Sequence, residues 1–162
     1  MKISALLAIC VFASVALPII VKAQSAGTQV PTETREKFDP KRDAAKDIQK
    51  AVILAKKQNK RILLDVGGEW CGWCHKLDKF FKTDLEVAKV LKERFVVVKI
   101  NFSPENENKA VLSKYPAAEG YPHLYVLDKN GKFLHSQGTG ELETGDHHDH
   151  DKFMKFLKTW SS

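Results

Sequence analysis

Residues 95–102 read FVVVKINF, an almost unbroken apolar, β-branched run. A strand of this kind suits a sheet covered on both faces, because one solvated face would demand alternation with polar residues. The neighbouring segments supply the covers. Asp39-Pro40 reads as an N-cap with proline at the first helical position, followed by Ala44, Ile48, Ala51, Val52 and Ala55 on one helical stripe that ends near Asn59. Residues 61–66 (RILLDV) form a short buried strand, and a helix runs from the two cysteines that follow to about Lys82. Asp84 caps another helix with Val87, Ala88 and Leu91 inward, and a weaker helical signal covers 104–115. Residues 122–127 make a third strand, 128–131 (DKNG) a hairpin turn, 132–136 the returning fourth strand and 138–145 a loop. Phe153, Phe156, Leu157 and Trp160 give the last helix its apolar face. Strands separated by helices imply parallel pairing, and the hairpin adds an antiparallel edge. The expectation is an α/β fold, a mixed four-stranded sheet flanked by helices on both faces.

The first 38 residues belong outside that domain. Lys2, an apolar stretch over 3–20 and the small-residue exit Val21-Lys22-Ala23 have the pattern of a secretory signal peptide over 1–23. A retained membrane anchor is the competing reading, disfavoured by Pro18 and the cleavage-like exit. Lipidation at Cys10 is disfavoured by the bulk of Ile9. Residues 24–38 are polar and aperiodic, a flexible arm, which leaves 39–162 as one domain. Losing Lys2 and Lys22 takes the formal charge from +6 to +4, and the basic residues are scattered along helices. Nucleic-acid binding therefore has no support. The expected protein is periplasmic or secreted, monomeric and free of the membrane after cleavage.

Cleavage also leaves only Cys71 and Cys74 of the 3 cysteines. In an oxidising compartment the pair can form a disulfide, and so short a loop adds little stability, so chemistry is the better reason for it. The surrounding WCGWCH admits three chemistries: a redox dithiol, a C-x-x-C-H haem attachment, or part of a zinc site. Haem would need a second axial ligand and a largely helical wrap, and Met154 lies beside the inward stripe of a helix the core requires. Zinc would need four ligands, and His75 directly follows Cys74. The redox reading fits better. A strand-to-helix turn places Cys71 at a helix N-terminus, whose field favours a thiolate, and Cys74 one turn on can resolve a mixed disulfide. Asp65, alone in an apolar strand, is either a proton acceptor for Cys74 or an exposed strand-end residue.

The stretch LLDVGGEWCGWCHKL, with Gly120-Tyr121-Pro122 before the third strand, resembles the thioredoxin superfamily over about residues 40–160. It looks most like exported bacterial thioredoxin-like proteins with a C-G-W-C-H site. The resemblance implies a thioredoxin fold and no cofactor beyond a redox-active Cys71–Cys74 disulfide. It implies Cys71 as nucleophile, Cys74 as resolving thiol and Asp65 as proton acceptor. It further implies a cis Pro122, a Tyr121 backbone that pairs with an incoming peptide, and substrate contacts from Trp70, Trp73, Tyr121 and Pro122. Gly72 and His75 would tune the potential, although His75 reads equally as a solvated helix residue. Departures from thioredoxin at Trp73, His75 and His123 leave the potential open, since family members differ by about 150 mV. Partners would be protein thiols or disulfides and a redox partner protein. The expected activity is exported thiol–disulfide exchange, leaning reductive. The alternative is a non-catalytic binding or metal-handling module using the dithiol with His147, His148 and His150 of the GDHHDHD tract. The plainer reading of that tract is a polar loop whose Asp149 or Asp151 caps the last helix.

Overall fold

A computed structural model describes residues 35–161. The expected leader over 1–23 and most of the expected arm over 24–38 lie outside the described residues. Five helices and six strands follow in the order α1 (Ala44–Gln58), β1 (Arg61–Gly67), α2 (Gly72–Thr83), α3 (Leu85–Arg94), β2 (Phe95–Asn101), α4 (Lys109–Leu112), β3 (His123–Leu127), β4 (Phe133–Gly138), β5 (Glu143–Thr144), β6 (His147–His148) and α5 (His150–Trp160). A 3₁₀ turn, Thr139–Leu142, precedes β5. No described helix is long and apolar enough to cross a membrane.

The main sheet has the order β2-β1-β3-β4. β1 and β2 are parallel, in a register that sets Asp65 beside Lys99, and α2 and α3 form the crossover. β3 runs antiparallel to β1, which corrects the expectation of parallel pairing for helix-separated strands. The reason lies in the connection. β2 leaves the sheet at the end where β1 also finishes, and α4 has only 4 residues. Such a helix advances about 6 Å, against the roughly 23 Å needed to cross a seven-residue strand. The chain therefore re-enters at the same end. That return places Tyr121-Pro122 beside the C-terminal end of β1 and the start of α2.

Three further boundaries differ from expectation. α1 begins at Ala44 with Asp43 as its cap, the Asp43 carboxylate accepting from Lys46 N at 3.0 Å. Asp39 instead forms a turn of its own, accepting from Lys41 N at 2.9 Å. The helix expected over 104–115 shrinks to α4 because asparagine side chains hold the preceding loop. Asn101 Nδ2 donates to the Asn106 carbonyl at 2.8 Å, Asn108 Nδ2 to the Asn101 carbonyl at 2.7 Å, and Asn108 itself is left-handed at φ 50°. β4 starts at Phe133, carries a bulge at its second residue, Leu134, and extends to Gly138, with Gly131 at φ 86° closing the hairpin loop. Asp84 and Asp149 cap α3 and α5 as the sequence implied.

Each sheet face buries its own core. Ala51 and Ala55 of α1 cover Ile62, Leu64, Val98 and Ile100. On the other face α2, α3 and α5 bring Leu77, Leu91, Phe153 and Leu157 onto Leu63, Leu124 and Val126. Asp65 belongs to this second face by strand alternation, so its carboxylate sits in the α2 layer.

Candidate active site

Cys71 is the N-cap of α2, and its backbone is extended at φ −95° and ψ 106°. Its sulfur accepts the Cys74 amide at 3.1 Å, an ordinary capping bond made by sulfur instead of oxygen. Cys71 and Cys74 form a disulfide with Cα atoms 5.2 Å apart. They are 3% and 1% exposed. The two sulfurs are unequal. Cys71 has the helix amide and the positive helix end, whereas Cys74 points inward at the backbone of Gly67. A Cβ on Gly67 would lie 2.5 Å from Cys74 Sγ and 3.2 Å from Phe38 Cζ. The described end of the expected flexible arm is thus docked, with Phe38 buried against the disulfide.

Around this pair the peptide bond between Tyr121 and Pro122 is cis. Thr139 Oγ1 donates to the Pro122 carbonyl at 2.9 Å and holds the loop. Tyr121 packs on the disulfide, stacks on Phe102 at 4.6 Å and meets the edge of Trp70 at 5.9 Å. Trp70 is 59% exposed although Nε1 is tied to the Phe102 carbonyl at 2.7 Å, so it presents a fixed apolar plate to solvent. Trp73 is half-buried between Lys76 Nζ, 4.2 Å above its ring, and the His148 ring at 5.4 Å. Gly72 is exposed, and nothing lies within 4 Å of where its Cβ would be. His75 makes its hydrogen bond to the Glu69 carbonyl at 2.8 Å, bracing the loop before Cys71.

Asp65 is buried, not the exposed strand-end residue of the plainer reading. Oδ2 accepts from Lys99 Nζ at 2.8 Å, while Oδ1 is buried without a partner among the described residues. Lys99 also binds Asp78 of α2, and Asp78 accepts from Arg35 at 2.6 Å, with Arg35 in turn bound to Glu69. Asp78 thus has a second cation in Arg35, whereas Asp65 has only the Lys99 ammonium it shares, among the described residues. Burial, the larger effect, pushes the Asp65 carboxyl above its ordinary range despite Lys99. Lys99 keeps its charge, because Asp65 and Asp78 together outweigh its own burial. Lys99 Nζ also lies 3.9 Å from the Phe38 ring centre, which joins this charge group to the residue covering Cys74. Asp65 and Gly67 share a strand face, so the free Asp65 oxygen faces the layer that holds Cys74.

Sequence reasoning did not find Phe38, Lys99, Asp78 or Arg35. The signal for two of them was present. Lys99 interrupts FVVVKINF much as Asp65 interrupts RILLDV, and Asp78 sits on the inward stripe Cys74, Leu77, Asp78 of α2. The histidine tract is not brought together. His147 is exposed, His150 bonds Asp84 at 2.7 Å, and His148 is buried among Trp73, Phe80 and Phe153. No group of three metal-ligating side chains forms among the described residues. His123 is buried too, its Nε2 within 2.8 Å of Ser136 Oγ, and burial holds its imidazole below the usual range.

A four-stranded mixed sheet, a Cys-x-x-Cys disulfide at the start of a helix and a cis-proline packed beside it define a thioredoxin fold with an active-site disulfide. A family model described as thioredoxin-like matches residues 43–129, and the chain belongs to that family. It is similar to the thiol:disulfide interchange protein DsbD of Actinobacillus pleuropneumoniae, 32% identical over 91 residues, which are 56% of this chain and 15% of that protein. Human spermatogenesis-associated protein 20 is 40% identical over 53 residues, 33% of this chain and 7% of that protein. The chain therefore spans only a small part of these curated relatives. Among solved structures, a disulphide isomerase from Xylella fastidiosa Temecula1 superimposes with TM-score 0.67 at 26% identity, over 77% of this chain and 96% of the other. The reduced C-terminal domain of Neisseria meningitidis DsbD shares the fold, with TM-score 0.54 at 24% identity over 73% and 96% of the two chains.

Proposed function

We propose that the protein is an exported thiol–disulfide oxidoreductase acting on protein substrates. The observation that carries this reading is the unequal pair of sulfurs, Cys71 on the α2 amide end and Cys74 turned inward under Gly67 and Phe38. In the reduced protein the Cys71 thiolate attacks a substrate disulfide, forms a mixed disulfide and expels one substrate thiolate. Cys74 passes its proton to Asp65 and attacks Cys71 Sγ, so the second substrate thiolate leaves and Cys71–Cys74 is oxidised. Two electrons have moved to the substrate, and a dithiol partner protein must return them. The substrate strand lies against the Tyr121 backbone at cis Pro122, with Trp70 and Trp73 flanking it. Gly72 and His75 adjust the potential from within and beside the motif.

The proposed direction is reductive, on the analogy of exported thioredoxin-like proteins that return oxidised cysteines to thiols. Export rests on the leader pattern of 1–23, and the chain acts as a monomer in the periplasm or outside the cell. The dispersed positions of His147, His148 and His150 favour this reading over a metal-handling module. Insulin reduction with dithiothreitol as donor tests it. Cys71→Ser is expected to abolish the protein's acceleration, and a Cys71→Ser protein as active as the wild type contradicts the proposal.

A further inference from the structure

Two clefts border the side chains that pack on the disulfide, Phe38 in one and Trp73 with Tyr121 in the other, and their charge is opposite to that of the chain. The larger, about 830 Å³, has apolar walls from Trp70, Phe102 and Pro104 and carboxylates from Glu69, Glu105 and Glu107. The second, about 410 Å³, lies between Trp73 and the Tyr121-Pro122 loop and carries Glu119, Glu141 and Glu143. The contact between Trp70 and Tyr121 joins them. The chain has 26 Lys and Arg against 20 Asp and Glu, yet among the described residues six glutamates and no Lys or Arg line the two clefts.

Internal pairing removes part of this charge only. Arg35 binds Glu69, and Lys109 binds Glu107 at 2.9 Å. Glu141 accepts from the Gln137 amide at 2.7 Å, a partner that brings no compensating charge. Glu143 lies 3.9 Å from His148, whose imidazole burial holds below the usual range. Glu105 and Glu119 have no cationic partner among the described residues. Lys76, above Trp73, turns its ammonium to the Asp146 carbonyl at 2.7 Å.

We propose that the redox face selects extended polypeptide segments that carry lysine or arginine on both sides of the reactive cysteine. This rests on the oxidoreductase reading and names its substrate class. An extended strand advances about 3.3 Å per residue with side chains alternating. A strand held at Pro122 with its cysteine on Cys71 thus reaches both clefts within a few residues. Its apolar side chains meet Trp70 and Phe102, and its cations meet Glu105 on one side and Glu119, Glu141 and Glu143 on the other. Opposite charge raises the encounter rate and disfavours acidic segments.

The test mixes reduced protein with two peptide disulfides that differ only in flanking Lys or Glu, and with bis(2-hydroxyethyl) disulfide as a small neutral substrate. Thiol release is followed by stopped flow. The Lys peptide is expected to react about tenfold faster than the Glu peptide at low ionic strength, with the ratio falling toward one as salt shortens the Debye length. The combined Glu119→Gln, Glu141→Gln and Glu143→Gln variant is expected to shrink the low-salt ratio, whereas Glu93→Gln on α3 keeps it. The salt series on the wild type stands even if the triple variant folds poorly. Equal rates for the two peptides, or faster reaction of the Glu peptide, with the small disulfide still reacting, overturn the charge selection and leave the oxidoreductase reading intact. No reaction with any of the three substrates overturns that reading and this one together.

Discussion

Gly67→Ala measures how closely β1 approaches the inner sulfur. The added Cβ would stand 2.5 Å from Cys74 Sγ, about 0.9 Å inside the 3.4 Å of ordinary contact, and 3.2 Å from Phe38 Cζ. Neither neighbour has room to retreat. Cys74 is 1% exposed and tethered through the disulfide, and Phe38 is pressed between it and Lys99. Gly67 has no unusual φ, so the effect is steric and not conformational. Overpacking of a filled core costs about 1–3 kcal/mol, which for a domain of this size lowers Tm by about 4–12 °C. The matched control is Gly72→Ala, where the new methyl meets nothing within 4 Å and stability should change by no more than about 0.5 kcal/mol. Thermal and urea unfolding of oxidised and reduced forms give both numbers. Resolution of the mixed disulfide should also slow in Gly67→Ala, because the displaced sulfur is the one that must reach Cys71. A Gly67→Ala protein as stable as Gly72→Ala refutes the packing argument.

The charge group under the disulfide yields further expectations. Lys99→Met leaves buried Asp65 without a cation, while Asp78 keeps Arg35, and should destabilise by about 3–5 kcal/mol in urea unfolding. An effect under about 1 kcal/mol would mean that the Asp65 carboxyl is already neutral or hydrated. Because the Asp65 carboxyl is raised above 3.8, the native state keeps a proton that the unfolded chain has lost, so its contribution to stability falls as pH rises through that window. Asp65→Asn should flatten this slope and slow the Cys74 step about 10²-fold at neutral pH while sparing attack by Cys71. A parallel slope and an unchanged rate would remove Asp65 from the site. His150 gives a slope of the same sign at higher pH, from a charged partner and not from burial. Its hydrogen bond to Asp84 raises it above 6.5, so its stabilisation is complete below that value and lost as pH rises through the folded one. His150→Gln should therefore lower Tm at about pH 5.5 and leave it unchanged at about pH 9.

Much of the fold was legible because strong local signals agreed with one another. FVVVKINF, RILLDV and the stripe of α5 each report burial on a defined face, and Asp84 and Asp149 cap where they stand. The failures have physical causes. Asp39 and Asp43 are both competent caps, and the sequence does not report that Asp39 uses its carboxylate in a turn with Lys41 N. α4 was overestimated because side-chain hydrogen bonds among Asn101, Asn106 and Asn108 compete with the helix, a balance that periodicity does not report. The antiparallel β3 follows from the length of α4, so one error carried the other. At the site, the Cys71–Cys74 pairing was readable from spacing, Asp65 stood out only as a lone carboxylate in an apolar strand, and the cis bond at Pro122 came only through resemblance. Phe38 was hidden because a lone aromatic at the end of a polar arm has no period to betray its burial. His148 was hidden because it shares its tract with two histidines that face water.

The central claim is that the two sulfurs have different tasks, and trapping tests it most directly. Reduced Cys74→Ala and Cys71→Ala proteins are incubated with a peptide disulfide, and intact mass is read after acid quench. The asymmetry of Cys71 at the α2 amide end and Cys74 beneath Gly67 requires one peptide adduct on Cys71 in the first variant and almost none in the second. Equal adducts on both, or an adduct on Cys74 alone, contradicts it.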